Sequence, residues 1–330
     1  MTAKLPTPDR FLMAILAAAV LASIFPATGA AVPVLSWASK AMIAVLFFLY
    51  GVRLSPQQSL EGLRNWRLHA VILAFTYLVF PLLGLAMRFL QPHVLSPELY
   101  LGMLWVCLVP STVQSSINFT SIARGNVAGA IVSAWFSNLI GVVLTPLLAI
   151  ALMQTTGGLR IDARSIADIV LQLLVPFVLG QLSRRWTAGF VQRHKRLKLV
   201  DQGSIILVVY SAFSEGMREH MWSRVAVGDI VKLVLVCLAV LALMLWLSWH
   251  VARLLGFDRA DRIAVQFCGT KKSLATGVPM ATVLFAGMPA VGLVVLPLMV
   301  FHQAQLMACS ALAGRYARRA TDPVPAGAAG

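Results

Sequence analysis

The chain has 330 residues, of which 59% are apolar and only 12% charged. Soluble domains carry about 25% charged residues, and here apolar runs of about 20 residues recur along the whole length, so the chain reads as a multi-span membrane protein. Its net charge of +15 is therefore no sign of nucleic acid, because the Lys and Arg residues sit between apolar runs, where they hold topology.

Apolar length and punctuation by charge, Pro and Gly predict ten spans, near 11–26, 33–52, 68–89, 98–122, 126–153, 165–184, 202–216, 227–255, 260–286 and 290–313. A span interior must satisfy its own backbone hydrogen bonds, so each is predicted helical. The first run follows Lys4 and Arg10 and precedes the small residues 27–31, a pattern also seen in secretory signals. The repeat argued below requires it as a retained helix. The seventh span is short. The basic stretch from Arg184 to Lys198 reads as the longest loop on its side, a topology anchor touching anionic lipid. Residues 320–330 have no means of packing and are predicted disordered. The whole of 1–330 thus reads as one integral membrane domain.

Ten spans put both termini on one side. Eighteen Lys and Arg residues fall on that side and seven on the other, so both termini are expected in the cytoplasm of a cell (inner) membrane protein. The two remaining cations, Lys271 and Lys272, fall inside a span.

The spans divide as five and five, in 11–153 and 165–313. An odd count makes the second half enter the membrane from the opposite side, which is an inverted repeat. The fourth span of each half is disrupted. In span 4, Pro110 lacks a donor N–H and clashes with the preceding turn. Ser111, Thr112, Gln114, Ser115, Ser116 and Asn118 follow it and compete for the helix's own hydrogen bonds. Backbone unwound there survives only against protein or a water-filled cavity. Freed carbonyls and hydroxyls suit a hard cation, and the helix N-terminus beyond the break suits an anionic group. The plainer alternative is a kinked helix whose hydroxyls bond a neighbouring helix.

Span 9 carries Cys268-Gly-Thr-Lys-Lys-Ser-Leu-Ala-Thr-Gly277, followed by Pro279. Gly269, Gly277 and Pro279 read as its break points. Each lysine at mid-span costs about 2.5–3.5 kcal/mol on insertion scales, which argues for a use. Helical spacing puts Gly269, Lys272, Ser273 and Thr276 on one face and Phe267, Lys271 and Leu274 on another. Lys272 is therefore expected to face the site together with Ser273. Lys271 snorkels, caps freed carbonyls, or is itself the ligand if Gly269 unwinds the helix. Ser133, Ser137 and Asn138 in span 5, and His302, Gln303 and Gln305 in span 10, are read either as cavity lining or as helix–helix hydrogen bonds. His69, at a span end, is expected at the interface. The four cysteines fall in apolar runs with no metal-ligand spacing, which reads as inert buried thiols. Enzyme motifs are absent from the sequence, and loops of about ten to twenty residues leave no room for an ATPase domain. No cofactor is expected.

At these residues the chain resembles the bile acid:sodium symporter superfamily, and looks closest to its SBF-like branch of sodium-dependent transporters. The resemblance rests on Phe47-Phe-Leu-Tyr-Gly51, on Pro110 followed by Ser115-Ser116, on Arg124-Gly-Asn126, on Thr145-Pro146, and on Cys268-Gly-Thr-Lys-Lys-Ser273 with Gly277-Val-Pro279. It implies an all-α bile acid symporter-like fold. Ten helices form two inverted five-helix repeats, arranged as a four-helix panel and a six-helix core, with helices 4 and 9 broken and crossing. It further implies a sodium site at Ser115 and Ser116, and ligand positions at Thr270, Lys271 and Lys272. The family's ligand carboxylate has no match here, since Phe267 stands near its place. Ala130 and Ala134 replace hydroxyl ligands of the fifth helix. Two lysines beside a sodium ion repel it, so a lysine ammonium, Lys272 first, is read as replacing at least one sodium or as a titrating group. The expected function is secondary transport of a small or amphipathic organic anion, with sodium as the inherited coupling ion and the lipid bilayer as the other partner. The rival reading is a non-transporting membrane sensor or scaffold affecting ion homeostasis or envelope assembly.

Overall fold

The computed structural model describes residues 10–53, 65–155, 167, 170–194, 196–286, 288 and 291–319. Lys4, Arg64, Arg160, Arg164 and Lys195, which the charge count above includes, and the tail 320–330 lie outside the described residues. Within the described residues every regular element is helical. In chain order these are α1 (Arg10–Ile24), α2 (Ala31–Arg53), α3 (Trp66–Leu90), α4 (Pro97–Leu108), α5 (Gln114–Ile122) and α6 (Val127–Thr155). There follow α7 (Val175–Arg193, entered by a π turn at Val170–Leu174), α8 (Leu197–Arg218), α9 (Val227–Leu254), α10 (Arg259–Thr270), α11 (Leu274–Leu284) and α12 (Val291–Arg319). Six stretches are long and apolar enough to cross a membrane among these residues: α2, α3, most of α6 (Val127–Met153), α8, α9 and α12.

The helices fall into two packed groups. In the first, α1 lies on α8, and α2 lies on both α7 and α8. The α2–α7 crossing is backbone to backbone. A Cβ on Gly51 would meet the Phe177 carbonyl oxygen at 2.1 Å, and one on Gly180 would meet that of Phe48 at 2.2 Å. Small residues let apolar helices approach where lipid offers no hydrophobic drive between them. Arg53 pairs with Asp201 between α2 and α8. In the second group, α4 packs on α12, α10 on α3, α6 and α9, and α5 on α6, α10 and α12. The two groups meet where α8 packs on α11 and α12.

Several boundaries differ from the sequence reading. The stretch from Arg184 is no loop, because α7 runs on to Arg193 and α8 begins at Leu197. Nothing between Gly180 and Arg193 breaks a helix, and charged side chains at a membrane surface need not unwind one. The seventh span is a 22-residue helix and not a short one. The last span extends to Arg319. The described connections 91–96 and 123–126 are also tighter than the ten to twenty residues expected.

Candidate functional site

Two interruptions lie in the second group of helices. α4 ends at Leu108, Val109 is extended (φ −71°, ψ 153°), and α5 begins at Gln114. α10 ends at Thr270, Lys271 and Ser273 are extended (ψ 149° and 114°), and α11 begins at Leu274 with the Ser273 hydroxyl capping the Thr276 N–H at 3.3 Å. Span 4 is thus unwound and not merely kinked. In span 9 the unwinding falls at 271–273. Gly269, Gly277 and Pro279 lie inside helices, so the expected breaks there are corrected. Their roles are packing and carbonyl release. A Cβ on Gly277 would meet Leu298 at 2.6 Å and Val109 at 2.9 Å. Pro279 lacks the N–H that would bond the Ala275 carbonyl, and that carbonyl instead accepts the Tyr50 hydroxyl at 3.4 Å.

The two unwound segments touch and cap each other. The Ser273 N–H donates to the Pro110 carbonyl at 2.8 Å. The Ser111 hydroxyl donates to the Cys268 carbonyl at 2.6 Å, and the Ser116 hydroxyl to that of Phe267 at 3.3 Å. These are among the last carbonyls of α10, which have no donor of their own in the helix. The next helix along the chain holds each segment in place. Ser137 Oγ accepts from the Ser111 N–H at 3.0 Å, and Asn138 Nδ2 donates to the Ser111 carbonyl at 2.8 Å. Opposite, Gln305 accepts the Lys272 N–H and donates to its carbonyl, both at 2.8 Å, and His302 Nδ1 lies 3.2 Å from that carbonyl.

The extended backbone at 271–273 decides where the lysines go. Successive side chains of an extended chain point to opposite faces, so the helical-face assignment made from spacing does not apply. Lys272 is fully buried. Its ammonium donates to the carbonyls of Thr76, Cys107 and Val109, each at 3.0 Å, and sits 4.2 Å from the Phe80 ring centroid. Cys107 and Val109 lie at the C-terminal end of α4, where the helix dipole favours a cation. Thr76 lies in a π turn, Phe75–Val79. There its carbonyl would accept from residue 81, which is Pro81 and has no N–H to give. All three ammonium donors are therefore used on backbone oxygen. Lys271 is also fully buried, but its Nζ has no hydrogen-bond partner and stands 3.8 Å from the Phe119 ring centroid.

The other residues singled out from sequence distribute as follows. Thr112, Ser115 and Ser116 converge, with the Thr112 hydroxyl 2.8 Å from that of Ser115 and 3.2 Å from that of Ser116. Gln114 and Asn118 are exposed, four residues apart on one face of α5. Thr270 turns back onto its own helix, to the Gln266 carbonyl. Ser133 bonds His69 Nδ1 at 2.7 Å. That is a helix–helix contact, and it places His69 in the interior, not at the interface. Gln303 Oε1 is buried with no partner. Ala130 and Ala134 are buried. Thr76, Phe80 and Phe119 escaped the sequence reading. The signal that could have found Thr76 is Pro81, a second proline placed where a span should carry an N–H.

The turn Arg124-Gly125-Asn126 ties the end of α5 to the start of α10. Arg124 has φ 56°, the Asn126 N–H donates to the Ala260 carbonyl at 3.0 Å, and Asn126 Nδ2 donates to Asp261 at 2.6 Å. A Cβ on Gly125 would meet Ile263 at 2.5 Å. The far end of α5 and the near end of α10 therefore sit on one side.

A helical membrane protein with two interrupted helices, joined through buried polar backbone, has the construction of a secondary transporter. The chain belongs to the SBF-like CPA transporter family, whose model matches residues 9–318, and with it to the bile acid:sodium symporter superfamily. It is 51% identical over 322 residues to the uncharacterized protein PA2026 of Pseudomonas aeruginosa, covering 97% of this chain and 96% of the relative. It is 44% identical over 312 residues to YfeH of Escherichia coli, which carries a symporter name, covering 94% and 93%. It is 28% identical over 278 residues to sodium/bile acid cotransporter 7 of Danio rerio, covering 82% and 81%.

Proposed function

We propose that this protein is a secondary transporter of a small or amphipathic organic anion, working by alternating access, in a cell membrane with both termini cytoplasmic. In this reading the described helices are ten spans in two inverted repeats, with α4–α5 and α10–α11 as the broken fourth and ninth. The pairing of α1 with α8 and of α7 with α2 is what such a repeat exchanges. The group of α1, α2, α7 and α8 would be the panel and the rest the core.

One observation carries the reading. Gln114 and Asn118 are exposed on α5, the half-helix that starts at a break in mid-span. Amides there are not left in hydrocarbon, so that face borders water. The opposite half-helix, α11, is covered by α8 and by the Tyr50 hydroxyl. One side of the crossing is open and the other closed, with the opening on the side of Arg124, the cytoplasmic side by charge count.

Lys272 is the ion-like part of the site. Three carbonyl oxygens around one cation are what a sodium ion would take, and the ammonium fills that role as a tethered charge. The relatives named as sodium/bile acid cotransporters support sodium as the coupling ion. The converging hydroxyls of Thr112, Ser115 and Ser116 are the neutral oxygens that a remaining sodium could use.

The test is uptake of radiolabelled cholate by proteoliposomes, with a sodium or a choline gradient, for wild type, Lys271→Gln and Lys272→Gln. Uptake that falls in the Lys272 variant is expected. Strong sodium dependence with both variants fully active would end the ammonium-for-sodium reading.

A further inference from the structure

We propose that Lys271, and not Lys272, meets the negative charge of the substrate, and that the site it defines balances one such charge and not two. This rests on the transporter reading above.

The two ammonium groups differ in what they have left to give. Lys272 spends its three donors on carbonyls. Lys271 Nζ is buried with no hydrogen-bond partner. The ion pairs found among the described residues, Arg53–Asp201 and Lys232–Asp229, involve neither lysine. The side chains that act on it electrostatically are Cys309 and Cys268, thiols and not carboxylates. A buried charge without a partner is strongly unfavourable, and a buried charge that gains one is not. An anion that reaches Nζ therefore gains a charge-assisted bond to donors that nothing else uses.

The route is short. Phe119, half-buried on α5, lies against the ammonium. It follows the exposed Asn118 directly and stands one turn after Ser115. The ring is thus a shutter between Lys271 and the open face of the crossing, and a change of its rotamer joins the two.

The surroundings set the ligand class. Phe119 packs on an apolar cluster of Ala123, Ile263, Phe267, Cys309 and Ala313, which offers no second cation. With Lys272 committed to backbone, one ammonium is available, so one negative charge is balanced. A dianion would bring a second charge with no partner.

Thermal unfolding of purified wild type and Lys271→Met tests this, with cholate and benzoate as monoanionic probes and succinate and sulfate as dianions. Ligand-free Lys271→Met is expected to unfold no lower than wild type, since removing a buried charge that has no hydrogen-bond partner offsets the lost contact with the Phe119 ring. Cholate or benzoate should raise the wild-type midpoint by several degrees and leave the variant unmoved, while the dianions move neither. Acetylation of Lys271 by acetic anhydride, located by mass spectrometry, should increase several-fold in Phe119→Ala and be suppressed by cholate. A large fall in the ligand-free variant's midpoint, equal monoanion shifts in both proteins, no monoanion shift in wild type, a larger shift with dianions, or Lys271 acetylation indifferent to Phe119→Ala each overturns the assignment. Equal shifts in both proteins would leave the transporter reading standing. That reading falls separately, if cysteines placed at 114, 118 and 280 all resist aqueous thiol reagents.

Discussion

Lys272 donates to the Thr76 carbonyl at 3.0 Å, an oxygen that Pro81 leaves without a backbone donor. A π turn in one helix and a break in another are thus two halves of one device. Each supplies oxygens that its own helix has released, and a single ammonium gathers them. The arrangement explains how a lysine tolerates full burial without a carboxylate.

Replacing Lys272 by Met strands three buried carbonyls. Each unsatisfied group costs about 1–3 kcal/mol, and breaking a buried charge cluster costs about 3–5 kcal/mol in all. Lys272→Met is expected to lower the unfolding midpoint on the order of 10 °C, in contrast to Lys271→Met. Differential scanning fluorimetry of the two variants side by side measures this. Similar midpoints for the pair would contradict the roles assigned to them.

Pro81→Ala restores an N–H that competes for the Thr76 carbonyl. Alone it should destabilise by about 1 kcal/mol, the scale of one hydrogen bond. Combined with Lys272→Met the two changes should be non-additive by about 0.5 kcal/mol or more, as for residues that share a partner. Strict additivity in that double-mutant cycle would show that the proline and the lysine act independently.

Gly51→Ala and Gly180→Ala each place a methyl about 2 Å from a carbonyl oxygen across the α2–α7 crossing. Backbone cannot step aside as a flexible side chain can. Each change should destabilise by about 1–3 kcal/mol, the usual cost of overpacking. Gly189→Ala, with nothing near its Cβ position, is the control and should be neutral or slightly stabilising.

Gln114→Cys and Asn118→Cys should react with a membrane-impermeant maleimide in inside-out vesicles and not in right-side-out ones. Met280→Cys, on the covered half-helix and buried, should react in neither. The background is low because Cys107, Cys237, Cys268 and Cys309 are all buried. Labelling of position 280 in place of 114 and 118 would reverse the direction in which the crossing is open.

Much was legible in the sequence because it is local. Apolar length marks a helix that hydrocarbon can hold, and Pro110 with its run of hydroxyl and amide side chains marks a place where that helix fails. Two lysines in mid-span announce a site through their burial cost alone. Helix ends were less legible. Arg184 and Arg185 looked like loop because charge usually punctuates spans, yet charge at a membrane surface does not unwind a helix.

The pairing of cations with oxygens was decided only in three dimensions. Spacing put Lys272 on an open helical face, but the chain at 271–273 is extended, and extended backbone sends adjacent side chains to opposite sides. The oxygens that bind Lys272 come from Thr76, Cys107 and Val109, more than 160 residues away along the chain. A sequence records which carbonyls lose their own donors. It does not record which distant side chain the packing of α3, α4 and α10 will bring to them.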